Sequence, residues 1–414
     1  MASAAPPVRV SQVSTALAAN RLGVADIVFF NLSAAAPLMV VAGVIPTAFA
    51  TTGITSLPVA FLAVAAMLTI FAVGLVAMAR RVTNAGAFYA YVTHGLGRPA
   101  GVGAAWVALI AYHSLQVGLY GIVGAAVGPL LAQWFGVHLP WWVIALFAWA
   151  LVGVLGVLRV DINGKVLAVL MVAEATVIVI FNLANLSHPA GGSMAISTLS
   201  PANLVGPGIG ALLVIGFLGS VGFENALVFA EESRDRDRTV PRATYASIVI
   251  IAVLYTLSSW SYPVTIGPDR IVAEAASQGP ELLFTLATRH LGATAATIGH
   301  TLFATSVIAA AISFHNTTAR YAFALGREGV LPTWFGRTNT FGAPKSGSLL
   351  QTMVAFAVIV TFAVGGWDPV SHLFYWSGAI GGLGVLLLIA VVSVAIVVFF
   401  ARNRLDESAW RARL

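Results

Sequence analysis

The amino-acid sequence predicts an all-α polytopic membrane protein with about ten transmembrane helices, and three observations carry that prediction. Of 414 residues, 59% are hydrophobic and 9% charged, with a mean hydropathy of +0.93. Soluble domains carry nearer a quarter of charged residues, so this chain cannot cover a water-facing surface. No Asp, Glu, Lys or Arg occurs in 27–79 or in 99–158, and each stretch is long enough for two crossings at about 20 residues per helix. Two of the predicted helices, the first and the sixth, are interrupted near their middles by proline or glycine. Together these exclude an ordinary soluble enzyme, a disordered chain and a secreted disulfide scaffold. The absence of cysteine excludes disulfides, thiolate metal sites and cysteine nucleophiles.

The elements follow in order. Residues 1–23 carry Arg9 and Arg21 and no uninterrupted apolar run, so they read as a cytoplasmic tail rather than a cleaved signal. Helices are predicted near 24–49, 56–79, 98–131, 140–158 and 162–186, which form a first half. A second half follows at 207–231, 243–266, 292–323, 347–365 and 370–400, and 401–414 is a second tail. The repeats thus span 24–186 and 207–400. Basic residues test the count, because they concentrate on the cytoplasmic side. Of 21 Lys and Arg residues, all but Arg270 and Arg289 fall on the predicted inside, which puts both termini in the cytoplasm. The net charge of +6 therefore reports topology and not nucleic-acid binding. The third, eighth and tenth helices exceed a perpendicular span, as tilt or extension into water would require. The outside segment 267–290, with Asp269, Glu274 and Glu281, has room for a short surface helix.

Helix 1 carries Asn31-Leu32-Ser33-Ala34-Ala35-Ala36-Pro37, and helix 6 carries Gly216-Phe217-Leu218-Gly219-Ser220-Val221-Gly222-Phe223-Glu224-Asn225. Such breaks survive at membrane depth only where they are buried in protein or line a wet cavity. Paired breaks at corresponding positions of two halves point to a five-plus-five inverted-repeat transporter with its site between them. A substrate ammonium would meet carbonyls around Phe217, Leu218, Gly219 and Ser220, and a carboxylate the amides of Ser33, Ala34, Ala35 and Ala36, since half-helix ends supply fields of both signs.

Ionisable residues inside the membrane are candidate functional groups by default. Glu174 lies halfway along helix 5 and Glu224 follows the helix 6 break. Each is either a proton-coupling group or a structural acid, hydrogen-bonded within the bundle or capping exposed amides. Asp26, at the inner end of helix 1, reads as a helix-start acid. On helix 3, Tyr112 and Gln116 share a face at a spacing of four, so Gln116 is a candidate to meet the substrate, and His113 beside them reads as a packing residue. On helix 8, Ser306, Ser313 and Thr317 form one stripe, which interhelical contacts alone would also explain. Phe217, Tyr375 and Trp376 are candidate lids. No metal-ligand spacing or phosphate-cradling glycine loop occurs, and Gly219-Ser220-Val221-Gly222 lacks the spacing of a hydrolase nucleophile. No enzyme and no cofactor are expected.

Several ordered motifs carry a family resemblance. Asn84-Ala85-Gly86-Ala87-Phe88-Tyr89-Ala90-Tyr91, with Gly101 and Trp106, enters helix 3. Gly222-Phe223-Glu224, Glu231-Glu232 and Thr239-Val240-Pro241-Arg242-Ala243 mark helix 6 and its exit, and the run from Ala319 through Arg320 to Pro332 ends helix 8. The set resembles the amino acid–polyamine–organocation superfamily of secondary transporters. That resemblance implies a plasma-membrane carrier of an amino acid, or alternatively of a polyamine or other amine, working by alternating access with protons or by exchange. A channel or transport-inactive sensor is the remaining alternative. By the same resemblance Glu224 is a gating or proton-coupling acid, and Glu174 stands where some proton-coupled relatives carry a lysine. Ser313 and Thr317 match hydroxyls that hold sodium in sodium-coupled cousins. The chain departs from the family in helix 1, where a Gly-x-Gly run is replaced by Ala34-Ala35-Ala36-Pro37 and proline has no amide hydrogen. It also carries ten predicted helices where many relatives have twelve. Ten suffice for a five-plus-five core.

Overall fold

A computed structural model describes residues 17, 19–82, 88–158 and 160–403, with the backbone alone at 160–163. Most of the 1–23 tail, residues 84–87 of the first motif, Arg159 and 404–414 lie outside the described residues. Among the described residues the chain is helical, apart from one isolated parallel bridge between Leu22 and Ser233. The ten apolar elements are α1 (Val24–Thr52), α2 (Leu57–Ala79), α3 (Arg98–Phe135), α4 (Trp141–Gly156), α5 (Val160–Leu186), α6 (Ile209–Val228), α7 (Arg236–Ile266), α8 (Ala293–Arg327), α9 (Lys345–Gly365) and α10 (Pro369–Arg402). Nine of these are long and apolar enough to cross a membrane, and α4, at 16 residues, is the short one. Its length of about 24 Å falls below the hydrocarbon thickness, and Trp141 and Trp142 begin it, the residue type that anchors helix ends in the headgroup layer.

Packing sorts the helices into two groups. In one, α1 lies against α7, and α2 against α7 and the first half of α6. In the other, α3 lies against α4 and α8, and α9 against α4 and α8. Helix α5 joins the groups by touching α1, α7 and α8, while α10 lies along α3 and reaches α2. The site lies where the groups meet.

Both expected breaks are present, and local sequence explains each. The first half of α1 ends at Ala35, and Ala36 adopts φ 46°, ψ 66°. The right-handed helical region is disfavoured for the residue before a proline, so Pro37 favours the turn at Ala36 and then restarts the helix at its own position. A wide π-helical turn, Val40–Val44, follows in the second half, a feature that recurs at functional sites. In α6, regular helix ends at Ser220, Val221 is extended, Gly222 has φ 122°, and a short helix resumes at Asn225–Val228. Only glycine fits at 222, because an added Cβ would lie 2.7 Å from Ala34 Cβ and 2.9 Å from both Ala35 N and Asn31 O. The two breaks touch there.

Three segments differ from their predicted form. Residues 267–290 hold two surface helices, Ile271–Gln278 and Glu281–Leu291, because Gly279 at φ 52° and Pro280 divide them. Helix α7 begins at Arg236 rather than near 243, with Asp235 accepting from Arg238 N at 3.3 Å. A separate short helix, Phe88–Leu96, precedes α3. At the start of α10, Asp368 accepts from Ser371 N at 2.6 Å, which holds its carboxyl below the ordinary aspartate range.

The contact between the breaks predicts the effect of Gly222→Ala. Strain at such a position costs about 1–3 kcal/mol, so the detergent-purified variant should melt several degrees below wild type in a fluorescence size-exclusion assay. An unchanged melting temperature would show that the breaks are not in close contact.

Candidate functional site

A broken helix exposes amides that the bilayer cannot satisfy. In α1, the Ala36 amide donates to the carbonyls of Leu32 (3.0 Å) and Ser33 (3.2 Å), and Pro37 has none to offer. The next amide, Leu38 N, donates to Glu174 Oε1 at 2.6 Å, and the same oxygen accepts from Ser306 Oγ at 2.8 Å. In α6, the Gly222 amide donates to Glu224 Oε2 at 2.8 Å, while Tyr112 Oη donates to Glu224 Oε1 at 2.9 Å. Both carboxyls are about 1% exposed. Each accepts from one amide of a broken helix and from one hydroxyl on the third helix of the opposite half. Asn31 Nδ2 ties the breaks together by donating to the Phe223 carbonyl (3.1 Å) and Ser247 Oγ (3.0 Å), and Tyr255 Oη donates to the Ala35 carbonyl at 3.2 Å.

Beside the breaks lies a cavity of about 260 Å³. Ala34 and Ala35 of α1, Leu218 and Gly219 of α6, Leu115 of α3 and Phe314 of α8 form its floor. It extends past Val40 and Tyr375 to Thr47 and Pro280, away from the end that carries most of the basic residues. No lining side chain is charged.

The sequence-selected residues divide between this cavity and its surroundings. Ala34, Ala35, Leu218, Gly219 and Tyr375 line the cavity. Phe217 is buried, and Trp376 is 62% exposed and outside the lining. Ser220 Oγ donates to the Gly216 carbonyl at 3.1 Å and faces a smaller cleft beside Phe61. Ser33 is buried, with no hydrogen-bond partner at its Oγ. The amides of Ser33, Ala34 and Ala35 lie within the helix and that of Ala36 is bonded. The break instead releases the Leu38 amide, which Glu174 accepts, as the rule that a restarting helix leaves its first N–H groups without intrahelical partners predicts.

Tyr112 holds Glu224, but Gln116 does not reach the cavity. Its Nε2 lies 3.1 Å from Tyr120 Oη and 3.2 Å from His315 Nδ1, and His315 Nε2 is 2.8 Å from Ser348 Oγ. This places Gln116 between α3, α8 and α9. His113 Nδ1 lies 2.8 Å from the Leu109 carbonyl, and Asp26 accepts from Gly23 N at 2.8 Å as a helix-start acid does. Ser313 Oγ donates to the Phe30 carbonyl at 2.8 Å, and Thr317 Oγ1 to Asn225 Oδ1 at 3.0 Å.

Toward the basic end the path below the breaks is closed. Arg320, 1% exposed, donates through Nε to Glu232 Oε2 (2.6 Å) and through Nη2 to Oε1 (3.0 Å). Its Nη1 donates to the carbonyl and Oδ1 of Asn316, both at 3.0 Å. The guanidinium lies 4.6 Å from the Phe229 ring centre, and Phe229 lies 4.4 Å from Phe30. The Glu232 carbonyl accepts from the amides of Arg21 (2.9 Å) and Leu22 (3.0 Å), which pins the chain entering α1 to the exit of α6. A second pair, Arg327 with Glu231, lies further out. The sequence motifs contained Glu232 and Arg320, but pairing across 88 positions left no local signal.

Residues 22–412 match the profile of the Amino acid permease family. The chain belongs to that family. Among curated relatives of this permease-family chain, the Histidine permease HisP of Lactococcus lactis is 27% identical over 56% of this chain and 51% of its own length. The Lysine-specific permease LysP of the same organism is 28% identical over 55% of this chain and 47% of its own. The chain thus spans about half the length of these two. The Low-affinity putrescine importer PlaP of Escherichia coli is 25% identical over 78% of this chain and 67% of its own. Among solved structures, MhsT in complex with L-phenylalanine aligns with a TM-score of 0.64 at 15% identity, covering 93% of this chain and 95% of that one. A Na+-coupled sialic acid symporter in a substrate-bound outward-open state aligns at 0.59 and 13% identity, covering 95% and 87%. These likenesses establish the five-plus-five inverted-repeat fold of an integral membrane protein.

The buried ion pair predicts a stability pattern. Removing one partner of such a pair costs about 3–5 kcal/mol, whereas replacing both by apolar residues costs far less. Glu232→Leu alone should therefore melt well below wild type, and the double variant Glu232→Leu/Arg320→Met should recover most of the loss. A double variant less stable than the single one would contradict the pairing.

Proposed function

We propose that the protein is a secondary transporter that carries an amino acid or a related organic amine across the plasma membrane by alternating access. The observation that carries this reading is the meeting of two broken helices at one cavity that is closed toward the basic end. The positive-inside rule puts that basic end, and both termini, in the cytoplasm, so the cavity faces outside. A continuous pore would leave no such closure. The segments 24–186 and 207–400 are the two repeats, and lipid is the surrounding partner.

The substrate ammonium binds at the carbonyl ends of the first halves of α1 and α6, where Ala34, Ala35, Leu218 and Gly219 line the cavity. The last carbonyls of a helix lack intrahelical partners and carry the negative end of its dipole. The printed names of the relatives, permeases for histidine and lysine and an importer of putrescine, share an amine and support this class. Protons are the favoured coupling ion, through Glu174 or Glu224, because each carboxyl holds a backbone amide of a moving break and a change in its charge would alter that bond. Exchange of one amine for another is the alternative driving mode. A sodium ion near Ser313 and Thr317 is the weaker reading, since contacts between helices are enough to explain both hydroxyls.

Uptake by purified protein in liposomes, using labelled amino acids with and without an inward proton gradient, tests the reading. Saturable, gradient-dependent accumulation is expected. Glu174→Gln should abolish the response to the gradient and leave substrate binding measurable. An unaltered response in that variant would move the proton to Glu224, and ohmic single-channel current would contradict a transporter.

A further inference from the structure

Resting on that reading, we propose that the site selects an amine with one positive charge and an apolar body, and that it does not read a substrate carboxylate. Three observations converge on this. Two amides released by the breaks are already bonded, Leu38 N to Glu174 at 2.6 Å and Gly222 N to Glu224 at 2.8 Å. To use either amide, a zwitterionic amino acid would have to displace a resident carboxyl. The carbonyl ends of α1 and α6 border the cavity at Ala34, Ala35, Leu218 and Gly219; Ala35 and Leu218 each already accept one bond, yet a carbonyl has two lone pairs, so the field there favours a cation without an accompanying anion.

The lining carries no acidic side chain for a second ammonium, which disfavours a dication, because an unpaired charge is costly in such a site. What it offers instead is aromatic and aliphatic surface, with Phe303, Phe314, Phe374 and Tyr375 around the cavity. Aromatic faces attract a single cation and bury the apolar remainder of the ligand. Its volume of about 260 Å³ falls just under the range of about 300–1,000 Å³ that holds drug-sized ligands, so one compact molecule fits.

Equilibrium binding to the purified full chain tests the inference without relying on flux, since neutral amines cross liposomes unaided. Tritiated phenethylamine is bound in a scintillation proximity assay and competed with phenylalanine, isoamylamine, leucine, lysine and putrescine. Phenethylamine and isoamylamine should each compete at least tenfold more tightly than the amino acid that differs from it by the carboxylate, and lysine and putrescine more weakly still. If phenylalanine or leucine compete as well as their amines, or putrescine competes better, the inference fails while the transporter reading stands. If amino acids bind by thermal-shift assay and no amine does, the inference fails in the same way. If nothing in the panel binds, both fail. Glu174→Ala frees the Leu38 amide, so a folded variant should narrow the gap between phenethylamine and phenylalanine about tenfold. An unchanged gap would remove Glu174 as the group that excludes the carboxylate.

Discussion

Where a membrane helix is interrupted, its freed backbone amides must find acceptors within the protein. In hydrocarbon an unpaired amide costs several kcal/mol, so a break persists only if the protein brings an acceptor to it. Here the acceptors are Glu174 and Glu224, and each is itself held by a second donor, Ser306 or Tyr112. A buried carboxyl is tolerable when such donors surround it. Because Ser306 and Tyr112 come from the third helices of the opposite halves, the two repeats are locked through their breaks and not only through apolar packing.

That arrangement places the points of weakness where the proposed alternating access would need them. The π-helical turn Val40–Val44 and the extended Val221 with Gly222 are positions at which half-helices can pivot while their other ends stay packed. Opening the basic end requires parting Arg320 from Glu232, Phe229 from Phe30 and the Leu22 bridge from Ser233. These contacts lie along one path, so in the proposed cycle they would part together and leave the cavity connected to one face at a time.

Much of this was legible in the sequence. Charge-free runs and the one-sided distribution of arginine gave the ten helices and their order, because hydrocarbon thickness and charge exclusion act residue by residue. Pro37 and the glycines of α6 located both breaks because proline and glycine act on the backbone at their own positions. Partners distant in the chain were not legible. Leu38 and Glu174 are 136 positions apart, and nothing local says which carboxyl caps which amide. Tyr112 and Gln116 share a helical face, yet a spacing of four fixes only that face and not the neighbours along it. Tyr112 therefore meets the α6 break, while Gln116, one turn on, meets α8 near His315. The second surface helix in 267–290 was hidden by the same limit, since Gly279-Pro280 reads equally as a loop or as a corner.

On the proposed reading, the cavity beside the breaks opens to one face while the Arg320–Glu232 closure is intact. The chain has no cysteine, and an added side chain at Gly43, in the cavity wall, would meet nothing within 4 Å. Gly43→Cys in oriented vesicles, challenged with a membrane-impermeant thiol reagent from each side in turn, is therefore the most direct measurement. Labelling from the face opposite the basic end alone is the predicted result. Labelling from both faces at equal rates, with no substrate present, would mean a continuous pathway and would contradict the closure on which the account rests.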